Sequence, residues 1–280
     1  TNTKKAASTP MTDATAFMGF LNMNRASYAN VADETTAVSQ FTDNDKVRTN
    51  LAMRNVHFRR AICFGLDRGA YNAQEAGEDL KFTSLINSYT PGTFVKLTED
   101  TTVSINGTDK TFPAGTFYGE IMQAQIDADG VNMKVWDPNG DGGIGASSGF
   151  DGWYNPSEAV KELDKAIEEL DKEGVVIDAE NPIKLDLPYL ASNEVYTNKA
   201  NSLKQSIEAS LGGKVVVTLV GCDDQDSWLN AGYYTDSGKE ANYTIYDLSG
   251  WGPDYGDPST YLDTFLPDYA GYMIKCIGIY

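Results

Sequence analysis

The alternation of strands and helices over residues 182–248 constrains the fold more than any other feature of this sequence. Runs rich in apolar and β-branched residues predict three strands, at 183–190, 214–220 and 243–248. Amphipathic spacing predicts two helices between them, at 193–211 and 224–231. A strand–helix–strand–helix–strand order favours parallel pairing with right-handed crossovers. The sequence therefore predicts an α/β fold with a mixed, mainly parallel sheet flanked by helices.

A loop dense in Gly and Pro follows the third predicted strand, at residues 249–262 (SGWGPDYGDPSTYL). In parallel α/β sheets, ligands bind beyond the carboxyl ends of the strands, where this loop lies. Trp251 and Tyr255 accompany Asp254 and Asp257, and an aromatic face adds roughly 0.5–2 kcal/mol to cation binding. The loop is predicted to hold a small cation such as an amino group. The alternative is an ordinary strand-end turn with a buried Trp.

The acidic composition excludes several classes of partner. A net charge of −18 over 280 residues, with pI near 4.3, provides nothing to neutralise phosphates and argues against nucleic acid and anionic lipid. No apolar run approaches the roughly 18 residues of a membrane span. The 41% hydrophobic content is ordinary for a globular protein with a core.

The sequence offers little to a catalytic site. The three cysteines (Cys63, Cys222 and Cys276) lie far apart without metal-ligand spacing, and the first two are predicted to be buried thiols. His57 is the single histidine, which argues against a His-based triad or zinc site. The chain is therefore predicted not to be an enzyme. The alternative is a secreted carbohydrate-active enzyme or sugar-binding module that uses acid pairs such as Asp254 and Asp257.

The first half of the chain is less regular. A strand is predicted at 16–24, an irregular polar stretch at 26–55, and a helix at 56–74. A hairpin around Asn106-Gly107 and a short helix at 119–128 are predicted further on. Asn155-Pro156, with Glu158 three residues after the cap, predicts the start of a long amphipathic helix that Gly174 ends.

Residues 137–145 (DPNGDGGIG) match the first part of a calcium-binding loop. Asp137, Asn139 and Asp141 would supply side-chain oxygens, and Gly143 a backbone carbonyl. Ser148 occupies the position of the usual bidentate Glu, and Asp151 is the candidate substitute. This loop pattern predicts a structural calcium ion. No other cofactor is predicted from the sequence. The alternative is an Asx-rich surface loop.

Three segments together resemble the family 5 extracytoplasmic solute-binding proteins, the dipeptide and oligopeptide receptors of ABC importers. Residues 58–68 (FRRAICFGLDR) are similar to the family's FRQAINYAIDR helix. Residues 154–156 (YNP) precede Ala159 and the long amphipathic helix. Residues 250–262 (GWGPDYGDPSTYL) are similar to the family's GWxADYxDPxxFL. The resemblance is nearest to Gram-positive oligopeptide-binding lipoproteins.

The resemblance implies a periplasmic-binding-protein-like lobe that binds peptide. In the family, the aspartate of the third motif pairs with the peptide α-amino group, and backbone near the Trp bonds the peptide main chain. Carried over, Asp254 is the amine anchor, Gly252 offers backbone groups, and Trp251 is a wall of the site beside Tyr255. The implied partners are an oligopeptide and a membrane ABC permease.

The resemblance also sets the expected domain organisation. Residues 1–15 are predicted as a flexible lead-in, and residues 16–280 as a single lobe, the second of two, with an irregular insert at 76–152. The first lobe and the lipid-bearing cysteine of the family do not appear in this sequence. For the full-length protein we expect a monomeric, extracytoplasmic, cell-surface lipoprotein.

Overall fold

The structure is a computed structural model, and it describes residues 15–28, 41–139, 146–269 and 271–279. Its strands are β1 (Ala16–Leu21), β2 (Thr101–Ile105), β3 (Thr108–Phe112), β4 (Ile183–Leu190), β5 (Val215–Cys222) and β6 (Ile245–Trp251). Its helices are α1 (Asp43–Arg54), α2 (Val56–Gly65), α3 (Arg68–Ala76), α4 (Tyr118–Ala128), α5 (Pro156–Asp171), α6 (Glu194–Ser210), α7 (Gln225–Gly232), α8 (Ser259–Leu262) and α9 (Tyr272–Cys276). Most of the predicted lead-in lies outside the described residues, and the lobe boundaries stay a prediction.

The α/β class predicted from the alternation is confirmed, with one correction to the strand pairing. Strands β4 and β5 pair in parallel through the crossover helix α6, as predicted. Strand β6 pairs antiparallel with β1, so the parallel pairing expected for the third strand is wrong. Next to β4, backbone N–H groups that could pair with a neighbouring strand donate to side-chain oxygens instead. The Thr244 N–H donates to Asp186 Oδ1 (2.8 Å), and the Asp186 N–H donates to Thr244 Oγ1 (2.6 Å).

The main apolar core lies between the β4–β5 pair and helices α2, α5 and α6. Its fully buried side chains include Phe58, Ile62, Leu163, Leu170, Ile183, Leu185, Leu203, Ile207, Val215 and Val217. Burial of one such large apolar side chain contributes roughly 1.5–3 kcal/mol. No helix in the described part of the chain has both the length and the apolar character that a membrane crossing requires.

A second apolar cluster surrounds β6 and fixes the strand that leads to the predicted binding loop. It contains Phe20 of β1, Tyr243, Tyr246 and Met273 of α9. The rings of Tyr243 and Tyr246 lie 4.9 Å apart, and the Tyr243 hydroxyl donates to the Cys276 carbonyl at 2.6 Å. The start of β6 is therefore held by aromatic packing as well as by its pairing with β1.

Two helix predictions need correction. The helix predicted at 56–74 is two helices, because Asp67 interrupts it and accepts a hydrogen bond from the Ala70 N–H (2.8 Å) as the cap of α3. The polar stretch predicted at 26–55 contains α1, which Thr42 begins with a capping box to Asp45. Its buried face is half polar and includes Thr49, so apolar periodicity does not reveal it.

The predicted insert at 76–152 contains two of the expected elements, the hairpin β2–β3 and helix α4. Asn106 and Gly107 form the hairpin turn with φ of 49° and 78°, the left-handed values that a two-residue hairpin turn requires. Asp151 joins the far end of this segment to α3 through a salt bridge to Arg68 Nη2 (2.7 Å). Arg68 also donates to the side chain of Asn87, so the segment is fastened at two points.

Candidate functional site

The predicted binding loop begins where β6 ends, at Trp251, which is further along the chain than the predicted strand end. The loop then turns into α8 (Ser259–Leu262). Asp257 accepts a hydrogen bond from the Ser259 N–H (2.9 Å) at the start of this helix. Backbone and side-chain hydrogen bonds from Ser259 lower the pKa of Asp257. Asp257 therefore serves the turn, and it does not line the cavity described below.

Thr260 ties the two sides of the loop together. The Trp251 indole Nε1–H donates to the Thr260 carbonyl at 2.9 Å, and the Asp254 N–H donates to the Thr260 hydroxyl oxygen at 3.0 Å. Thr260 itself is buried. On its other side the Trp251 ring stacks on Tyr272 of α9, with centroids 5.9 Å apart. The loop backbone around Asp254 is thus fixed while its side chain stays exposed.

An open cavity of about 250 Å³ lies against this loop. Its lining residues are Trp251, Asp254, Tyr255, Thr260, Asp263 and Tyr269. Among the described residues, the Asp254 carboxylate has no ion-pair partner and no side-chain hydrogen bond. Tyr255 is 50% exposed. A free carboxylate beside aromatic faces is suited to an ammonium group, since both attract positive charge.

The structure brings three of the four predicted ligand-binding residues to this cavity: Trp251, Asp254 and Tyr255. Gly252 is exposed in the same loop without lining it, and a Cβ there would lie 3.3 Å from Thr15 Oγ1. Asp263 and Tyr269 were missed by the sequence analysis. They follow the loop in the chain, and α8 turns them back towards it. The roles of all these residues stay predictions.

A buried polar group lies on the strand that carries the loop. Asp247 of β6 accepts a hydrogen bond from the Tyr71 hydroxyl at 2.6 Å. Burial raises the pKa of Asp247, although the hydrogen bond from Tyr71 and the charge of Lys199 act in the opposite direction. Lys199 of α6 forms a salt bridge with Glu75 of α3 (2.7 Å). The hydrogen bond therefore fastens β6 to α3, and the salt bridge joins α3 to α6.

The predicted calcium loop is only partly within the described residues. Asp141 and Gly143 lie outside them. Asp137 Oδ1 accepts a hydrogen bond from the Asn139 N–H (2.9 Å), the geometry of an Asx turn. The carboxylate of the candidate substitute Asp151 is bound by Arg68 in this structure. Structural calcium at this loop stays a prediction.

No group of three or more His, Cys, Asp or Glu side chains within the described ranges is arranged to hold a metal ion. His57 instead contacts Glu162 of α5, with Nδ1 and Oε2 separated by 2.6 Å. Burial raises the pKa of the Cys63 thiol to about 11, so this thiol stays protonated at neutral pH.

The open aromatic and carboxylate cavity thus lies at a strand end of an α/β fold, and this fold occurs in a protein of known structure. The substrate-binding domain of an oligopeptide ABC transporter from Bacillus anthracis shares this fold, with a TM-score of 0.51 at 16% identity. That comparison covers 95% of this chain and 35% of the other.

Sequence comparison gives the particular relatives. Oligopeptide-binding protein AmiA of Streptococcus pneumoniae is 33% identical over 243 residues, which are 87% of this chain and 32% of AmiA. Oligopeptide-binding protein SarA of Streptococcus gordonii is 34% identical over 255 residues, 91% of this chain and 33% of SarA. No family model matches the chain.

The chain spans about a third of the length of these curated relatives. It is a homologue of one segment of the Gram-positive oligopeptide-binding proteins, which confirms the resemblance drawn from the three motifs. These relatives are named as binding proteins, in agreement with the prediction that the chain is not an enzyme.

Proposed function

We propose that this chain is a peptide-binding lobe of the substrate-binding component of an oligopeptide ABC importer. The names of the relatives give the class of ligand. The observation that carries the proposal is the unpaired Asp254 carboxylate, which lies in a cavity with aromatic walls. Thr260 holds the backbone of Asp254 in place. Asp254 would bind the peptide α-amine, and no bond of the peptide would be made or broken.

The remaining contacts proposed for the peptide use groups that every peptide shares. The exposed backbone at Gly252 would bond the peptide main chain, and the Trp251 and Tyr255 rings would flank its amino end. Recognition of amine and main chain accounts for acceptance of varied side chains, because these groups do not change between peptides. Closure of a second lobe over this surface would remove water from the ion pair and strengthen it.

The whole protein would act outside the cytoplasm, as a monomer anchored by lipid, and would deliver peptide to a membrane permease. The alternative of a carbohydrate-active protein finds no support among the relatives. Of the acid pair it would use, Asp257 binds the start of α8 rather than lining the cavity.

Titration calorimetry with one short peptide tests the anchor. The sample is the full-length protein encoded by the complete open reading frame that contains these residues. It is compared as wild type, Asp254→Asn and Asp268→Asn. Asp268 is exposed in the segment beside the cavity and is absent from its lining, so it is a matched control for the loss of one negative charge. Removal of one partner of a desolvated charge pair costs roughly 2–5 kcal/mol, so Asp254→Asn is expected to weaken binding by about 30-fold or more. Equal affinities of Asp254→Asn and Asp268→Asn would contradict the anchor role.

A further inference from the structure

The cavity holds a second carboxylate that the amine anchor leaves unused. Asp263, at the end of α8, lines the same space of about 250 Å³ as Asp254. No lysine or arginine of the described chain lines this space, and Asp263 has no salt bridge there. A single α-amine carries one positive charge, so it neutralises one of the two carboxylates.

The Asp263 carboxylate is oriented by a neighbour in the cavity wall. The Tyr255 hydroxyl donates to its Oδ2 at 3.3 Å, while the other oxygen accepts no hydrogen bond from a described residue. Ser259 donates to the Tyr255 hydroxyl oxygen at 3.3 Å, so the tyrosine is itself held from α8. The Tyr255 hydroxyl therefore contacts one oxygen of Asp263, and the other oxygen is left to accept from a ligand.

The aromatic walls add to the attraction for cations at this end of the cavity. Tyr269 is 69% exposed, so the face of its ring is accessible to a ligand. Together with Tyr255 it gives the second carboxylate an aromatic surround. A cation placed over such a ring gains roughly 0.5–1 kcal/mol at an exposed site, and a lysine stem also covers apolar surface.

We infer that the cavity favours peptides whose first residue carries a cationic side chain, with Asp254 binding the α-amine and Asp263 binding the side-chain cation. This inference rests on the proposed function, since it needs the amino end of a peptide in the cavity. The overall charge of −18 favours approach of such ligands, and charge screening makes this long-range part sensitive to salt.

Calorimetry on the same full-length protein tests the inference. Two peptides are compared that differ only in the first residue, which is lysine or norleucine. Norleucine keeps the aliphatic stem and lacks the charge. The lysine peptide is expected to bind roughly three- to tenfold more tightly to the wild type, from one exposed ion pair and one cation–π contact. In Asp263→Asn the lysine preference is expected to fall to the part that the cation–π contact alone supplies, whereas Asp268→Asn keeps the wild-type preference.

The outcomes separate this inference from the proposal on which it rests. Measurable binding of both peptides with equal affinity to the wild type overturns the charge preference and leaves the peptide-binding proposal standing. A lysine preference of unchanged size in Asp263→Asn overturns the assignment to Asp263. Failure of either peptide to bind the wild type contradicts the proposed function itself. The ratio of two affinities in one variant also cancels any general loss of folded protein.

Discussion

Glu162 joins helix α5 to helix α2, a contact that the sequence around Glu162 does not predict. Its Oε2 lies 2.6 Å from His57 Nδ1 of α2, and its Oε1 accepts from Lys165 Nζ at 2.7 Å. Burial alone would raise its pKa, but the hydrogen bonds from Lys165 and His57 outweigh this and lower the pKa below the usual 4.5. The ionised form is therefore the one that the fold favours.

This gives a pH-dependent prediction for Glu162→Gln. Since the pKa is lower in the folded state, ionised Glu162 stabilises the protein above pH 4.5, and this stabilisation is lost as the pH falls through the folded value. At pH 7 the variant should lose about 1 kcal/mol of unfolding free energy, and the difference should vanish in acid. Urea unfolding across pH measures it, with the exposed Glu168→Gln as control. A loss that is the same at every pH would contradict the electrostatic account.

The sequence analysis described α5 only as a long amphipathic helix and used His57 only as an argument against a triad or zinc site. The contact between His57 and Glu162 was missed because the two residues are separated by 105 positions and meet only when α2 packs on α5. Trp251, Asp254 and Tyr255 were found because one short loop carries them together. Asp263 and Tyr269 were missed since their approach to the cavity depends on the turn at α8.

At the scale of elements, local capping was predictable and pairing across the fold was not. Asn155-Pro156 predicts the start of α5 because a cap acts within one helical turn, and the structure places α5 at Pro156–Asp171. The break between α2 and α3 depends on Asp67, which lies within a continuous amphipathic pattern. The antiparallel partner of β6 is β1, which lies far away in the chain, so strand alternation near the C-terminus cannot reveal it.

Asn155 gives the prediction at this scale. Its Oδ1 accepts from the Glu158 N–H (3.3 Å) and from the Ser157 hydroxyl (2.8 Å). Asn155→Ala should lower the unfolding free energy by about 1 kcal/mol, while Asn155→Gly should cost only a few tenths, since glycine also suits the cap position. Guanidinium unfolding of the two variants measures the difference. Equal losses for Ala and Gly would show that the cap hydrogen bond is not the cause.

At the scale of the whole molecule, one ion pair fastens the 76–152 segment to the lobe. Asp151 Oδ1 accepts from Arg68 Nη2 (2.7 Å) and Nε (3.0 Å), and also from the Trp153 N–H (3.0 Å). Both side chains are mostly buried, so loss of one charge leaves the other without compensation. The pair joins residues 83 positions apart, and no local motif predicts it.

We expect Asp151→Asn to destabilise the protein by roughly 3 kcal/mol, far more than Asp268→Asn at the surface. Hydrogen exchange locates the effect: amides of β2, β3 and α4 should exchange faster, while β4 and β5 change less. Uniform faster exchange over the whole chain would show that the ion pair supports the lobe as a whole rather than the segment.

The central claim is that the Asp254 cavity binds a peptide through its free amino end. The most direct measurement is calorimetry on the full-length wild-type protein, comparing one peptide with its N-acetylated form. Acetylation removes the charge and leaves the main chain unchanged, so the acetylated peptide should bind at least about tenfold more weakly. Equal binding of the two forms would contradict the claim.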